Sequence, residues 1–151
     1  MTEMPKELFA ILSAGTPAIL LTVDADGYPH AAFTFAAASR PDCVAVVADD
    51  GSRTLTNIER TRKASLQVLA PGNIVFLLKG TVRLSASPLA ASPVPSRRAV
   101  IELDSVKNQA WPEIAVAPLA YEYSERTRAR WEGALPRLYA ELRGESSGGN
   151  L

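Results

Sequence analysis

Apolar residues along this chain change period several times, and each change marks a new element. "MPKELFAILSAG" places Leu8, Ile11 and Leu12 on one helical face, with Gly15 just past the end, which predicts a short opening helix. "TPAILLTVD" is rich in branched aliphatics and runs into "ADG", a hairpin turn signal, so it reads as a strand. "YPHAAFTFAAAS" follows as a second strand, and its two-residue period sends Phe33 and Phe35 to one face and Thr34 to the other. "CVAVVAD" gives a third strand. "SRTLTNIERTR" sets Leu55, Ile58 and Arg62 along one side of a short helix. "ASLQVLA" and "NIVFLLKGTVRLS", joined by the turn "PGN", supply two more strands.

The rest of the chain is less regular. "SASPLAASPVPSRR", residues 85–98, holds three prolines and four serines and reads as a loop or broken helix. "AVIELDSV" reads as a strand from its β-branched content, and "EIAVAPLAYEY", residues 113–123, as the last strand. From about residue 125, "SERTRARWEGALPRLYAEL" is amphipathic, with Trp131, Leu135, Leu138, Tyr139 and Leu142 at helical spacings; Pro136 is expected to kink it or start a second helix. Short strands linked by hairpins, with few helices, predict a mainly β fold: an antiparallel sheet closed into a small barrel. The expected organisation is one domain over residues 1–143 and a frayed tail over 144–151, with no internal repeat.

Composition narrows the functional classes. A hydrophobic content of 47% belongs to a folded chain, and sixteen basic residues offset by sixteen acidic ones argue against general binding to nucleic acid or an anionic membrane surface. The longest apolar runs, "AILLTV" and "IVFLL", fall far short of the roughly 20 residues of a membrane-spanning helix. "MTEMPKELF" has no signal-peptide core, so a cytoplasmic location is the expectation. One cysteine, Cys43, and one histidine, His30, leave no intrachain disulfide and little basis for a metal centre. Cys43 reads as a buried thiol and His30 as a solvent-facing strand residue. Trp111 and Trp131 read as packing residues, with stacking on a ring ligand as the alternative. Arg126, Arg128 and Arg130 do not share a helical face and read as a solvated surface.

The densest chemistry lies in "DDGSRTLTNIERTRKASLQV". Gly51 permits a sharp turn, Ser52 and Thr54 carry hydroxyls, and the Arg53 guanidinium matches the geometry of a phosphate. A helix starting here adds free N–H groups and the positive end of its dipole. Two readings stay open on residue types alone: a phosphate site, or a helix cap beside a surface arginine.

The ordered series of strand, "GSRT", helix with "NI", "KASLQV" and "LLKGTVRL" resembles the split-barrel flavoproteins related to pyridoxamine 5′-phosphate oxidase, over most of the chain. Phe33-Thr34-Phe35 looks like that family's flavin-lining strand, and Gly80 to Arg83 like its glycine-to-arginine strand. The resemblance implies a split β-barrel homodimer with FMN at its interface and oxidoreductase chemistry at the flavin. Ser52, Arg53 and Thr54 would hold the phosphate, and Thr34 with its neighbours Phe33 and Phe35 would line the ring or ribityl chain. Val47 and Ala48 would give backbone contacts, and Lys79 would reach the cofactor from the next strand or the partner subunit. The departures matter too. Ala32 and Ala37 stand where oxidases of this type carry an arginine and a lysine, and their C-terminal substrate-binding arginine and histidine are not recognisable here. Oxidation of pyridoxamine phosphate is therefore not the expected activity. F420 or haem in the same groove is one alternative, and a dimer that stores flavin without turnover, or binds none, is the other.

Overall fold

The computed structural model describes residues 2–145. Its elements run α1 (Lys6–Ala14), β1 (Thr16–Val23), β2 (Pro29–Ala37), β3 (Cys43–Asp49), α2 (Arg53–Thr61), β4 (Lys63–Ala70), β5 (Ile74–Pro88), β6 (Ser96–Asn108) and α3 (Glu125–Leu142). The strands close into an antiparallel barrel in the order β1-β2-β3-β6-β5-β4, with β4 returning to β1.

The two-residue period places the lumen. β1 and β4 alternate buried and half-buried positions along their length, sending Ala18, Leu20, Leu66 and Val68 inward. Val44, Val46, Leu78 and Ile101 complete the inner layer, and all four are fully buried. α1 adds Leu8 and Leu12 to this core and α2 adds Leu55 and Ile58. A Leu or Ile side chain fully removed from water contributes roughly 1.5–3 kcal/mol, so this layer is the main source of stability. β5 and β6 pack so closely that a Cβ on Gly80 would lie 2.0 Å from the Glu102 carbonyl oxygen, at a register shift in their ladder. Only glycine fits there.

β3 is buried on both faces, from Val44 to Ala48, because α3 covers its outer side. A second core forms there from Phe35, Ala37, Ala45, Val47, Val100, Leu138 and Leu142, with Trp131, Leu135 and Tyr139 packed against it. Three contacts hold α3 in place. The Glu141 carboxylate accepts hydrogen bonds from the Ala90 and Ala91 amides, each at 2.8 Å. Arg98 donates to the Leu142 carbonyl at 2.9 Å. Tyr139 lies flat on Gly15, where an added Cβ would sit 2.4 Å from the ring; Gly15 also has φ +97°, a second reason for glycine.

Three expectations need correction. Residues 113–123 form no regular strand: Trp111 and Ile114 make one isolated bridge and the rest is an irregular, largely exposed arm. Barrel closure has already given each strand two neighbours, so the arm finds no sheet edge and is tied down only locally, by Leu119 N–H to the Leu69 carbonyl at 3.0 Å and Val116 N–H to Asn73 Oδ1 at 3.0 Å. The irregular stretch at 85–98 is shorter than expected. β5 continues to Pro88 and β6 begins at Ser96, so Pro88 pairs Arg97 beyond a break in register. Finally, α3 runs through Pro136 as one helix. Pro136 sits on the exposed side, where the Glu132 carbonyl that loses its donor can be solvated. Of the expected tail, residues 146–151 lie outside the described residues. No helix among the described residues is long and apolar enough to cross a membrane.

Candidate functional site

The cleft originates in a ladder that stops early. β2 pairs β1 from Pro29 to Ala36, yet meets β3 only at Ala36↔Val46 and Ala37↔Ala45. Beyond that point β2 and β3 diverge, and Thr34 fills in for the missing rung. Its hydroxyl accepts the Val47 N–H at 3.1 Å and donates to the Val47 carbonyl at 3.0 Å. This side chain thereby satisfies two buried backbone groups while letting the strands part.

The opening is a cleft of about 380 Å³, within the usual range for small-molecule sites. Phe33 and Phe35 form one wall, with Thr34 and Val47 beside them; Tyr121 and Tyr123 of the arm and Trp131 of α3 form the other. The rings pack mostly edge to face, with Phe33–Phe35 centroids 5.2 Å apart and Tyr121 at 5.5 Å and 5.6 Å from the two phenylalanines. Trp131 lies 5.6 Å from Phe35. Phe33 as a residue stays 46% exposed in this wall of the cleft.

The polar end is the start of α2. Gly51, at φ +73°, turns the chain after β3. Ser52 caps the helix: its hydroxyl accepts the Leu55 N–H at 3.1 Å and donates to the Asp49 carbonyl at 2.7 Å. Thr54 is buried and lines the cleft, and the Arg53 and Thr54 amides donate to no acceptor among the described residues. Two carboxylates, Asp49 and Glu122, also line the cleft, whereas no lysine or arginine does. Burial pushes the Asp49 carboxyl up, with the neighbouring Asp50 adding to it, which favours its neutral form.

Arg53 points elsewhere. Its guanidinium lies 3.4 Å from Asp24 Oδ2 and lines a separate hollow of about 300 Å³ with Arg60, Thr56 and Asn57. Buried Asn57 organises this side: its amide donates to Thr22 Oγ1 at 3.1 Å and Asp24 Oδ1 at 2.9 Å, and its carbonyl accepts from Arg60 at 3.0 Å. The Asn57 hydrogen bond, with Arg53 beside it, holds the Asp24 carboxyl below the usual carboxylate range against a smaller opposing effect of burial.

The structure thus gathers Phe33, Thr34, Phe35, Val47, Ser52 and Thr54 around one cleft. It does not bring Arg53, Ala48 or Lys79 to it: Ala48 is buried in the barrel core, and Lys79 is exposed on β5 beside a different hollow with Lys63 and Asp104. Asp49, Tyr121, Glu122, Tyr123 and Thr127 also line the cleft and were not singled out in the sequence, while Trp131, read there as a packing residue with ring stacking as the alternative, both packs on the second core and lines the cleft. The aromatic pair in "YEY" was the visible signal, but its place depends on the path of the arm across the barrel.

A closed six-stranded antiparallel barrel, opened along one seam into an aromatic side cleft, defines a split-barrel domain. Residues 4–112 match the family model of pyridoxamine 5′-phosphate oxidase, and the chain belongs to that family. Solved structures agree on the fold. An F420 reductase superposes with a TM-score of 0.61 at 16% identity, over 70% of this chain and 100% of its own. HupZ of Group A Streptococcus gives 0.60 at 16% identity, over 78% and 99%. A Lactobacillus delbrueckii protein provisionally named a pyridoxamine 5′-phosphate oxidase gives 0.58 at 20% identity, over 70% and 93%. No curated protein sequence matches the chain. The arm and α3, which build the outer wall of the cleft, lie beyond the family match.

Proposed function

We propose that this protein binds FMN in the cleft between β2 and β3 and acts as a flavin-dependent oxidoreductase, and that pyridoxamine phosphate is not its substrate. The observation that supports this is the joining of aromatic walls, an unpaired β2 edge and the start of α2 in one cleft of suitable size. Bound FMN would supply hydride or electron transfer. The chain's own residues would flank the ring with Phe33, Phe35 and Trp131 and present the Thr54 hydroxyl and the free amides of α2 to the phosphate. Arg53 would assist after leaving Asp24, an exchange made easy by its exposure, since a 3.4 Å ion pair with a guanidinium 65% exposed is weak. The proposed assembly is a homodimer, with the exposed Trp111, Ile114, Val116 and Phe33 as the surface a second copy would cover.

The absorbance spectrum of the purified protein, followed by FMN titration, tests this directly. Flavin bands and saturable binding are expected. Arg53→Ala should weaken FMN about tenfold, the loss of one charge-assisted phosphate contact. Asp24→Asn should tighten it by releasing Arg53. Absence of flavin binding, or an affinity indifferent to both substitutions, would rule the reading out. A deazaflavin such as F420 is the second reading, favoured by one observation: Arg53 and Arg60 cluster outside the cleft, where a longer phosphate-bearing tail has more use for them than the single phosphate of FMN. F420 fluorescence from the purified protein would separate the two.

A further inference from the structure

Charge in the cleft is one-sided. Asp49 and Glu122 line it, and no lysine or arginine does. Basic side chains close to Asp49 along the chain or across the ladder are committed elsewhere. Arg53 faces Asp24 at 3.4 Å, and Arg97, which pairs Ala48 in the β3–β6 ladder, lies 3.9 Å from Asp50. Among the described residues, neither Asp49 nor Glu122 has a basic group within ion-pair distance. Burial and the neighbouring Asp50 push the Asp49 carboxyl up, and no cation offsets them. A cation entering the cleft would do so, because an opposite charge nearby favours the ionised form.

Two further features say what kind of cation fits. A divalent metal ion asks for several oxygen ligands, and no group of three His, Cys, Asp or Glu side chains that could hold one is gathered among the described residues. The walls are aromatic instead, with Phe33 and Phe35 on one side and Tyr121 and Trp131 on the other. Phe33, Tyr121 and Trp131 are gathered about Phe35 at centroid distances of 5.2, 5.6 and 5.6 Å, so a ligand in the cleft meets several rings at once. An aromatic ring attracts an organic cation within about 6 Å of its centre.

We propose that the cleft selects a planar organic cation as its substrate, held against the aromatic walls and countered by Asp49 and Glu122. This deepens the flavin reading by naming the charge of the substrate. That the cation reacts there rests on that reading; that it binds rests on the cleft alone. A phosphate at the start of α2 would add negative charge beside Asp49 and strengthen the preference.

A charge series of three probes with one shape tests this: N-methylquinolinium, neutral methylnaphthalene and anionic naphthoate. Chemical-shift titration of the full chain, followed at the Phe33, Val47 and Tyr121 amides, measures each. N-methylquinolinium should bind about tenfold more tightly than methylnaphthalene, the joint effect of a cation–π contact and two solvated ion pairs, and naphthoate more weakly than either. Asp49→Asn and Glu122→Gln are isosteric changes at exposed positions, so the fold and the methylnaphthalene affinity should persist. Together they should reduce the preference to about threefold or less, the part left to the rings. Glu113→Gln, at an exposed acid outside the cleft, should change nothing. Equal affinity for the cation and its neutral isostere, naphthoate bound as tightly, a preference kept in the double variant, or one lost in Glu113→Gln would overturn the proposal. FMN titration of the same samples separates the two readings. Flavin bands without a cation preference sink this inference alone; a cation preference without flavin binding sinks the cofactor assignment alone.

Discussion

The barrel lumen and the cleft beside it are built from different side chains and sealed to different degrees. Inside, Leu20, Leu66, Val68, Leu78 and Ile101 interlock with Leu8, Leu12 and Ile58, and essentially none of their surface reaches solvent. Outside, between β2 and α3, the packing is aromatic and incomplete, with Phe33 46% and Tyr121 38% exposed. Aliphatic packing this dense leaves neither room nor polar groups for a ligand. The aromatic flank gives up some burial and keeps ring faces and a strand edge accessible. Stability and recognition are therefore assigned to opposite faces of β2 and β3.

That division can be broken at either side. Leu66→Ala in the lumen should cost about 2–5 kcal/mol in denaturant unfolding and leave any ligand affinity of the folded protein unchanged. If it alters affinity instead, the separation fails. Thr34→Val acts on the seam, since it strands the Val47 N–H and carbonyl. A loss of about 1–3 kcal/mol is expected, together with weaker ligand binding, because this hydroxyl holds the cleft in shape. Glu141→Gln loosens the clamp on residues 90 and 91 and should cost about 1 kcal/mol, read as a lower thermal midpoint with Trp131 fluorescence shifted toward that of a solvated indole.

The smallest expected effect is alkaline. Because Tyr123 is pushed up to about 12 from the ordinary phenol value near 10, the folded protein keeps a proton that the unfolded chain releases. Its contribution to stability is complete below pH 10 and is lost as pH rises from there toward 12. Denaturant midpoints at pH 9 and pH 11 should therefore fall more for the native chain than for Tyr123→Phe.

Local pattern carried much of the fold and less of the cleft. The branched aliphatics of "TPAILLTV" and "ASLQVLA", each bounded by a turn signal, located β1 and β4 within a residue, because such side chains pack well on a pleated, half-buried surface. "EIAVAPLAYEY" misled because apolar content reports a tendency to be covered, not the availability of a sheet edge, and closure had used every edge. At the cleft, "GSRT" announced its helix start correctly. The direction of Arg53 was decided by Asp24 on another element, held in place by Asn57, and no window around residue 53 contains that information. The approach of Tyr121 and Trp131 to Phe35 is likewise set by the course of the arm and helix.

The uneven ladders have a dynamic consequence. β1 and β2 are joined along eight residue pairs, but this leaf meets the remaining sheet through three pairs on the β4 side and two on the β3 side. Sub-global opening follows the fewest bonds, so the leaf should detach as one unit before β4, β5 and β6 come apart. Amide hydrogen exchange would show this as protons from Ile19 to Leu21 and Ala36 to Ala37 escaping together, ahead of those in the β5–β6 pairing. The seam that makes room for a ligand is then also where the barrel first breathes, and whatever binds there should slow that exchange.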